Sequence, residues 1–190
     1  MNLLHRWYCR SGGWARQLQG QLMPRVLRDV DLGENALEIG PGPGLSTDWL
    51  RAKVPRLTTI EIDHELAEAL KRRLDGTNVT AVEGDATEMP FPDASFSGVV
   101  CFTMLHHVPS SRLQDRLLAE TYRVLRPGST FAGADSIPNL VWNLAHLFDT
   151  RVPVDPDSFA ARLESAGFTE VAVGKRSDMF RFRARKPLGS

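Results

Sequence analysis

At 190 residues, 42% of them apolar, the chain has the size of one globular domain with a core of its own. Its 23 basic and 23 acidic residues cancel to a formal net charge of zero, so there is no bulk electrostatic pull toward nucleic acid or an anionic membrane. No apolar run is long enough for a membrane span, and Met1 to Cys9 lacks the uninterrupted apolar stretch of a signal peptide.

In chain order, the first 32 residues place Trp14, Leu18, Leu22 and Val26 at helical spacing, which predicts a helix packed on the body. This segment reads as an N-terminal cap over 1–32, with the main domain at 33–190. A buried strand at 36–40 then runs into glycines at alternate positions, Gly40, Gly42 and Gly44, followed by a helix at 45–53. The second strand, 56–62, carries an acid near its end and leads to a helix at 64–74. There Leu66, Ala69, Leu70 and Leu74 recur at helical spacing, and Gly76 marks the stop. The third strand is 79–85. The segment 88–95 holds too much proline for a helix and is expected to be a loop. The fourth strand, 96–103, is rich in β-branched and aromatic residues.

A helix at 110–125 aligns Leu113, Leu117, Leu118, Tyr122 and Leu125, and Arg126-Pro-Gly128 marks its end. A fifth strand at 129–135, a short helix within 137–150 and a helix at 157–166 follow. The last two strands, 169–175 and 179–185, are separated only by Arg176-Ser-Asp178, which forces an antiparallel hairpin. Strands that alternate with helices predict an α/β fold. The expected architecture is a doubly wound, Rossmann-like, seven-stranded sheet, mostly parallel with an antiparallel C-terminal hairpin strand. Cys9 and Cys101 lie far apart, one of them in a predicted central strand. That suits reduced thiols in a cytoplasmic protein better than a disulfide framework.

The most informative segment is Glu38-Ile-Gly-Pro-Gly-Pro-Gly44. A glycine turn after one strand and a carboxylate at the tip of the next is how an open α/β sheet holds a nucleoside. The dinucleotide fingerprint needs a glycine at 45, where this chain has Leu45, and no P-loop sequence occurs. Pro41 and Pro43 also remove two backbone N–H donors that a pyrophosphate would require. The loop therefore suits a ligand without phosphates. Together with Arg123-Val-Leu-Arg-Pro-Gly128, it resembles the class I S-adenosylmethionine-dependent methyltransferases of the small-molecule type, from about residue 33 onward.

The resemblance implies S-adenosylmethionine as cofactor and S-adenosylhomocysteine as product. It implies a cofactor site formed by Glu38, Gly40, Gly42, Gly44, Glu61, Ile62, Asp85, Ala86, Phe102 and Thr103. Glu61 would accept from both ribose hydroxyls, since a carboxylate offers two acceptor oxygens. Asp63 is the expected N-cap of the following helix. Asp85 would accept from the adenine amine, and Glu38 would meet the cofactor ammonium, because an acid inside a central strand needs a partner. In Phe102-Thr-Met-Leu-His-His-Val108, His106 is the candidate general base, its ordinary pKa lying near neutrality. The same Leu-His-His-Val stretch is architectural in family members with unrelated substrates. Methyl transfer needs no base where alignment of nucleophile, methyl and sulfur supplies the acceleration. Trp7, Tyr8, His107 and Trp142 are candidate lid and acceptor-side residues, the aromatic ones favoured near a sulfonium by cation–π attraction.

The expected acceptor is a small or lipid-like molecule taking methyl at O, N, S or C, with no metal ion involved. With so little chain available as a cap, the acceptor pocket is expected to be shallow or completed by a second subunit, as in a homodimer. Two other readings stand beside this one. In Leu37-Glu-Ile-Gly-Pro-Gly42, Ile60-Glu-Ile-Asp63 and Val82-Glu-Gly-Asp-Ala86 the chain resembles ribosomal RNA adenine dimethyltransferases, but Thr103-Met-Leu-His106 replaces their Asn-[Leu/Ile]-Pro-Tyr tetrapeptide, and the charge is balanced. Base N-methylation is rejected on those grounds, and an RNA-modifying methyltransferase acting on other RNA targets is kept as an alternative. A non-catalytic S-adenosylmethionine-binding module remains the reading from a different class.

Overall fold

The structure, a computed structural model, describes residues 12–138 and 151–189. It opens with a helical segment made of α1 (Gly12–Gln17), a π-helical stretch (Leu18–Leu22) and α2 (Met23–Val26). Then come β1 (Asn35–Ile39), α3 (Leu45–Leu50), β2 (Arg56–Glu61), α4 (His64–Leu74), β3 (Val79–Glu83) and β4 (Phe96–Phe102). A 3₁₀ turn (Leu105–His107) precedes α5 (Ser111–Val124), β5 (Leu125–Ser136), α6 (Pro156–Ser165), β6 (Thr169–Lys175) and β7 (Met179–Arg185).

The seven strands form one sheet in the order β3-β2-β1-β4-β5-β7-β6. All pairings are parallel except those of β7, which lies antiparallel between β5 and β6. The reversal of strand order between β1 and β4 opens a crevice at the C-terminal ends of the strands, where open α/β sheets bind ligands. Side chains alternate across the sheet. Leu37, Ile39, Val99, Cys101, Phe131, Phe180 and Phe182 pack with Leu117, Leu118, Phe159 and Leu163 of α5 and α6. Ala36, Leu57, Val100, Phe102 and Ala134 pack on the other side with Leu18, Met23, Val26 and Leu50. The N-terminal helical segment is thus anchored on the sheet by Leu18, Met23 and Val26, with Leu22 half-buried.

Local chemistry sets the element ends. The Asp63 carboxylate accepts from Leu66 N at 3.1 Å to cap α4, and Ser110 Oγ accepts from Leu113 N at 3.2 Å to cap α5. The helix ends just before Arg126-Pro-Gly128 as expected, but β5 begins at Leu125 rather than at 129 and takes these residues in. Leu125 already pairs with Phe96, then the register jumps so that Gly98 pairs with Thr130. The excess residues form an irregularity that accommodates Pro127, which has no N–H to donate, and Gly128 at φ 77°. The expected helix within 137–150, Trp142, and the cap residues Trp7 and Tyr8 lie outside the described residues.

Candidate functional site

The glycine loop is held from inside. Gly40, Gly42 and Gly44 all take positive φ, at 63°, 55° and 85°. Gly40 N donates to Ile60 O at 2.9 Å, Gly42 N to Glu61 Oε2 at 2.9 Å, and Gly44 N to Pro41 O at 3.0 Å. Pro41 and Pro43 have no N–H. Every backbone donor of residues 40–44 is therefore absent or spent within the protein, and none points to a phosphate. A Cβ at Gly42 would meet nothing within 4 Å, so this point of the loop borders open space. A Cβ at Gly40 would come within 2.9 Å of Met104 Cγ, which brings the segment after β4 directly over the loop after β1.

Glu61, at the tip of β2, is buried. One carboxylate oxygen accepts from Gly42 N, and the other accepts from Asp63 N at 3.0 Å. Its pKa is raised, with burial the largest cause, opposed by the Asp63 and Gly42 hydrogen bonds. Each oxygen keeps a further lone pair, so the orientation that these bonds impose leaves two acceptors in fixed positions. Next to it Ile62 is 69% exposed, one of two large apolar side chains so exposed among the described residues. Asp85 lies exposed just beyond β3, its Oδ1 accepting from Thr87 N at 2.7 Å, with Ala86 half-buried beside it.

Glu38 sits deep in β1, beneath the glycine loop. Thr47 Oγ1 of α3 donates to its Oε2 at 2.6 Å, whereas its Oε1 is buried with no hydrogen-bond partner. Burial pushes its pKa up to about 7, against the lowering effect of the neighbouring Ser46 and Thr47 hydroxyls. A buried carboxylate oxygen without a partner is costly, and a cationic group would satisfy it. An unpartnered acid, a phosphate-averse loop, a pair of fixed acceptors and an exposed apolar side chain together fit a nucleoside with a cationic tail.

Across the switch point, Phe102 is buried and Thr103 follows at φ 50°, a left-handed conformation rare for a β-branched residue. Thr103 N donates to Ala134 O at 2.8 Å, which holds that backbone in place. His106 is only 2% exposed. Its backbone N donates to Asp135 Oδ2 at 3.0 Å, its Nδ1 lies 2.5 Å from Asp135 Oδ1, and its ring lies against His107 at 4.2 Å between centroids. Asp135, at the tip of β5, is fully buried and also accepts from Ser136 N at 2.6 Å. Cys101 is free and buried, its thiol pushed well up, chiefly by burial. Among the described residues no group of three His, Cys, Asp or Glu could hold a metal ion, and no helix is long and apolar enough to cross a membrane.

The structure thus brings Glu38, the three glycines, Glu61, Ile62, Phe102 and Thr103 to one crevice, with Asp85 and Ala86 at its β3 border. Sequence reasoning missed Thr47, Met104 and Asp135. Asp135 had a visible signal, an acid closing the apolar run Phe131-Ala-Gly-Ala-Asp135, by the same logic that singled out Glu61.

A family model described as a methyltransferase domain matches residues 37–133. The chain is 35% identical over 121 residues to a phthiotriol/phenolphthiotriol dimycocerosates methyltransferase of Mycobacterium tuberculosis, covering 62% of this chain and 44% of that protein. It is 32% identical over 112 residues to a fatty-acid O-methyltransferase of Mycolicibacterium smegmatis, covering 58% and 39%. The chain thus spans less than half the length of these two relatives. Among solved structures, phosphoethanolamine N-methyltransferase 2 of Haemonchus contortus in complex with S-adenosyl-L-methionine superposes with a TM-score of 0.74 at 14% identity. That match covers 98% of this chain and 60% of the other, and it establishes likeness of fold.

Proposed function

The chain belongs to the methyltransferase-domain family, and from that premise we propose that it transfers a methyl group from S-adenosylmethionine to a small or lipid-like acceptor. The observation that carries the donor assignment is the buried, partnerless Oε1 of Glu38 beneath a glycine loop with no N–H to spare. When bound, S-adenosylmethionine supplies an electrophilic methyl group on a sulfonium. Glu38 would receive the ammonium of the methionine tail, and Glu61 the ribose hydroxyls. Asp85 would take the adenine amine, with Ile62 and Ala86 against the base. Phe102 and Thr103 would border the methionine end, where the fixed backbone of Thr103 keeps the segment after β4 in register with the loop below.

The acceptor side works chiefly by alignment, which converts a bimolecular encounter into an oriented one. Where the acceptor's nucleophile carries a proton, His106 is assigned to receive it. With Nδ1–H donated to Asp135, the basic lone pair is on Nε2. Asp135 is then a positioning residue, because it acts through the imidazole. A lipid-like acceptor is supported by the fatty-acid O-methyltransferase relative and by the apolar character of Met104 and Phe102 at the crevice. Cytoplasmic location and the N-terminal segment as a lid belong to the same reading.

Isothermal titration with S-adenosylhomocysteine tests the donor assignment, which predicts binding with one ligand per chain. No detectable binding at millimolar ligand would sink it. Incubation with methyl-tritiated S-adenosylmethionine and a panel of fatty acids and phenols tests turnover. Label in an organic extract supports catalysis, while tight donor binding without transfer to any acceptor favours a non-catalytic binding module.

A further inference from the structure

A cavity of about 310 Å³ lies between the N-terminal helical segment and the turn that joins β6 to β7. Leu22, Val26 and Met179 supply apolar wall, while Arg25, Lys175, Arg176 and Arg181 supply four cationic side chains against one acid, Asp178. In a chain with zero net charge this is a local concentration of one sign. Two of the cations are committed elsewhere. Lys175 Nζ pairs with Asp157, and Arg181 Nη1 donates to Arg25 O at 3.4 Å. Arg25 and Arg176 have no ion-pair partner among the described residues, and both are exposed. Two guanidiniums with unfilled donors beside an apolar wall suit a ligand that is anionic at one end and apolar at the other.

The cavity stands on the same sheet edge as the donor crevice. Ser136 at the end of β5 pairs with Met179, and Ile137 N donates to Asp178 O at 2.9 Å. The turn bearing Arg176 is therefore tied to the strand end that presents Asp135 to His106. In the sheet, β5 alone separates β4 from β7, so the cavity lies two strand spacings, or about 10 Å, from the tip of β4. Its wall residues Val26 and Met179 belong to the side of the sheet on which Phe102 is packed with the N-terminal segment.

We propose that this cavity binds an anionic group of the methyl acceptor, held by Arg25 and Arg176 with an apolar stem along Leu22, Val26 and Met179. The acceptor class is an amphiphilic carboxylate or phosphate whose methylated atom lies about 10 Å from its charge, given the two strand spacings that separate the positions. The anion in the cavity is thus not the atom that is methylated. A volume at the small end of ligand pockets fits a head group with a short stem rather than a whole long chain. The inference rests on the donor assignment above, since the cavity is an acceptor site only if the crevice beside it holds the donor.

Four eight-carbon probes test it by isothermal titration on the full chain: octanoate, octyl phosphate, octanol and octylammonium. The two anions are expected to bind at least tenfold more tightly than octanol and octylammonium, and octanoate against octyl phosphate separates the two anion chemistries. The double variant Arg25→Gln, Arg176→Gln is expected to lose at least tenfold in affinity for the preferred anion. It should keep the wild-type affinity for S-adenosylhomocysteine, which also reports that it is folded. Anion binding no tighter than octanol, or unchanged in the double variant, overturns the proposal while leaving the donor reading intact. Failure of wild-type protein to bind S-adenosylhomocysteine overturns the donor reading, and with it the cavity's role as an acceptor site.

Discussion

At the β1–β2 end of the crevice, the hydrogen-bond partners of Glu38 and Glu61 lie no more than 19 residues from them in sequence. Glu61 is bound by Gly42 and Asp63, and Glu38 by Thr47, nine residues away. At the β4–β7 end, the partners come from distant parts of the chain. His106 meets Asp135, 29 residues on, and Arg181 reaches the backbone of Arg25 across 156 residues. The first end is a cradle assembled by two strand-loop-helix units, which the proposed function assigns to the methyl donor. The second is assembled from several elements that can vary independently, which is where choice of acceptor can be altered without disturbing the cradle.

The sharpest way to break this division is Asp135→Ala. The substitution leaves His106 N, His106 Nδ1 and Ser136 N facing a buried gap, so unfolding free energy is expected to fall by about 3–5 kcal/mol. Urea denaturation reads this. If the two ends are independent, the folded fraction still binds S-adenosylhomocysteine with wild-type affinity. Gly40→Ala probes a contact that links them. It places a side chain at φ 63°, within 2.9 Å of Met104 Cγ, and should cost about 2–4 kcal/mol. Here donor affinity should fall together with stability. A variant that lost stability alone would show that Met104 yields without disturbing the cradle.

The division also explains what could be read from the sequence. The helix His64–Leu74 and the β6–β7 hairpin match expectation residue for residue, because periodicity and a three-residue gap act locally. Glu38 and Glu61 stand out in the sequence because each lies within or beside its own motif, and the structure puts both next to the glycine loop. Arg126-Pro-Gly128 correctly marks the end of the preceding helix, but the early start of β5 at Leu125 depends on pairing with β4, which no local signal announces. The pairing of Asp135 with His106 and the clustering of Arg25, Arg176 and Arg181 around one cavity are announced by no local signal. Strands that neighbour in space are separated by tens of residues in the chain, and a single sequence does not carry that pairing.

Glu38 sharpens the account of the cradle through pH. Its pKa is about 7 in the folded protein against an ordinary 4.5. The folded state therefore holds more protons than the unfolded state between those values, and this group's contribution to stability is fully present below about pH 4.5. That contribution is lost as pH rises to about 7, up to about 3 kcal/mol in all. Glu38→Gln should remove this slope, so that the difference in urea stability between wild type and variant changes sign or shrinks from pH 8 to pH 5. A cationic ligand tail reverses the preference of Glu38 for the proton. S-adenosylhomocysteine should thus bind wild-type protein more tightly as pH rises toward 7, with proton release seen by titration in buffers of different ionisation enthalpy. A binding constant flat between pH 5 and 8 would remove Glu38 from the donor site.

Glu61→Ala carries the smallest expected effect, and it separates scaffolding from recognition. Loss of the carboxylate should weaken S-adenosylhomocysteine binding by about 1–3 kcal/mol, the usual loss for a charged hydrogen-bond partner. The same carboxylate holds Gly42 N and Asp63 N, so a weaker loop could produce that loss without any contact to the ligand. An analogue of S-adenosylhomocysteine lacking both ribose hydroxyls distinguishes the two. If Glu61 recognises the ribose, wild type and Glu61→Ala bind the analogue with nearly equal affinity, because the contact is already missing. If Glu61 only supports the loop, the penalty persists undiminished for the analogue. Glu61→Gln adds a second check, since its amide can accept from one backbone N–H but presents its own NH₂ to the other. It should therefore resemble Glu61→Ala rather than wild type. Wild-type affinity in both variants would show that the tip of β2 does not hold the donor.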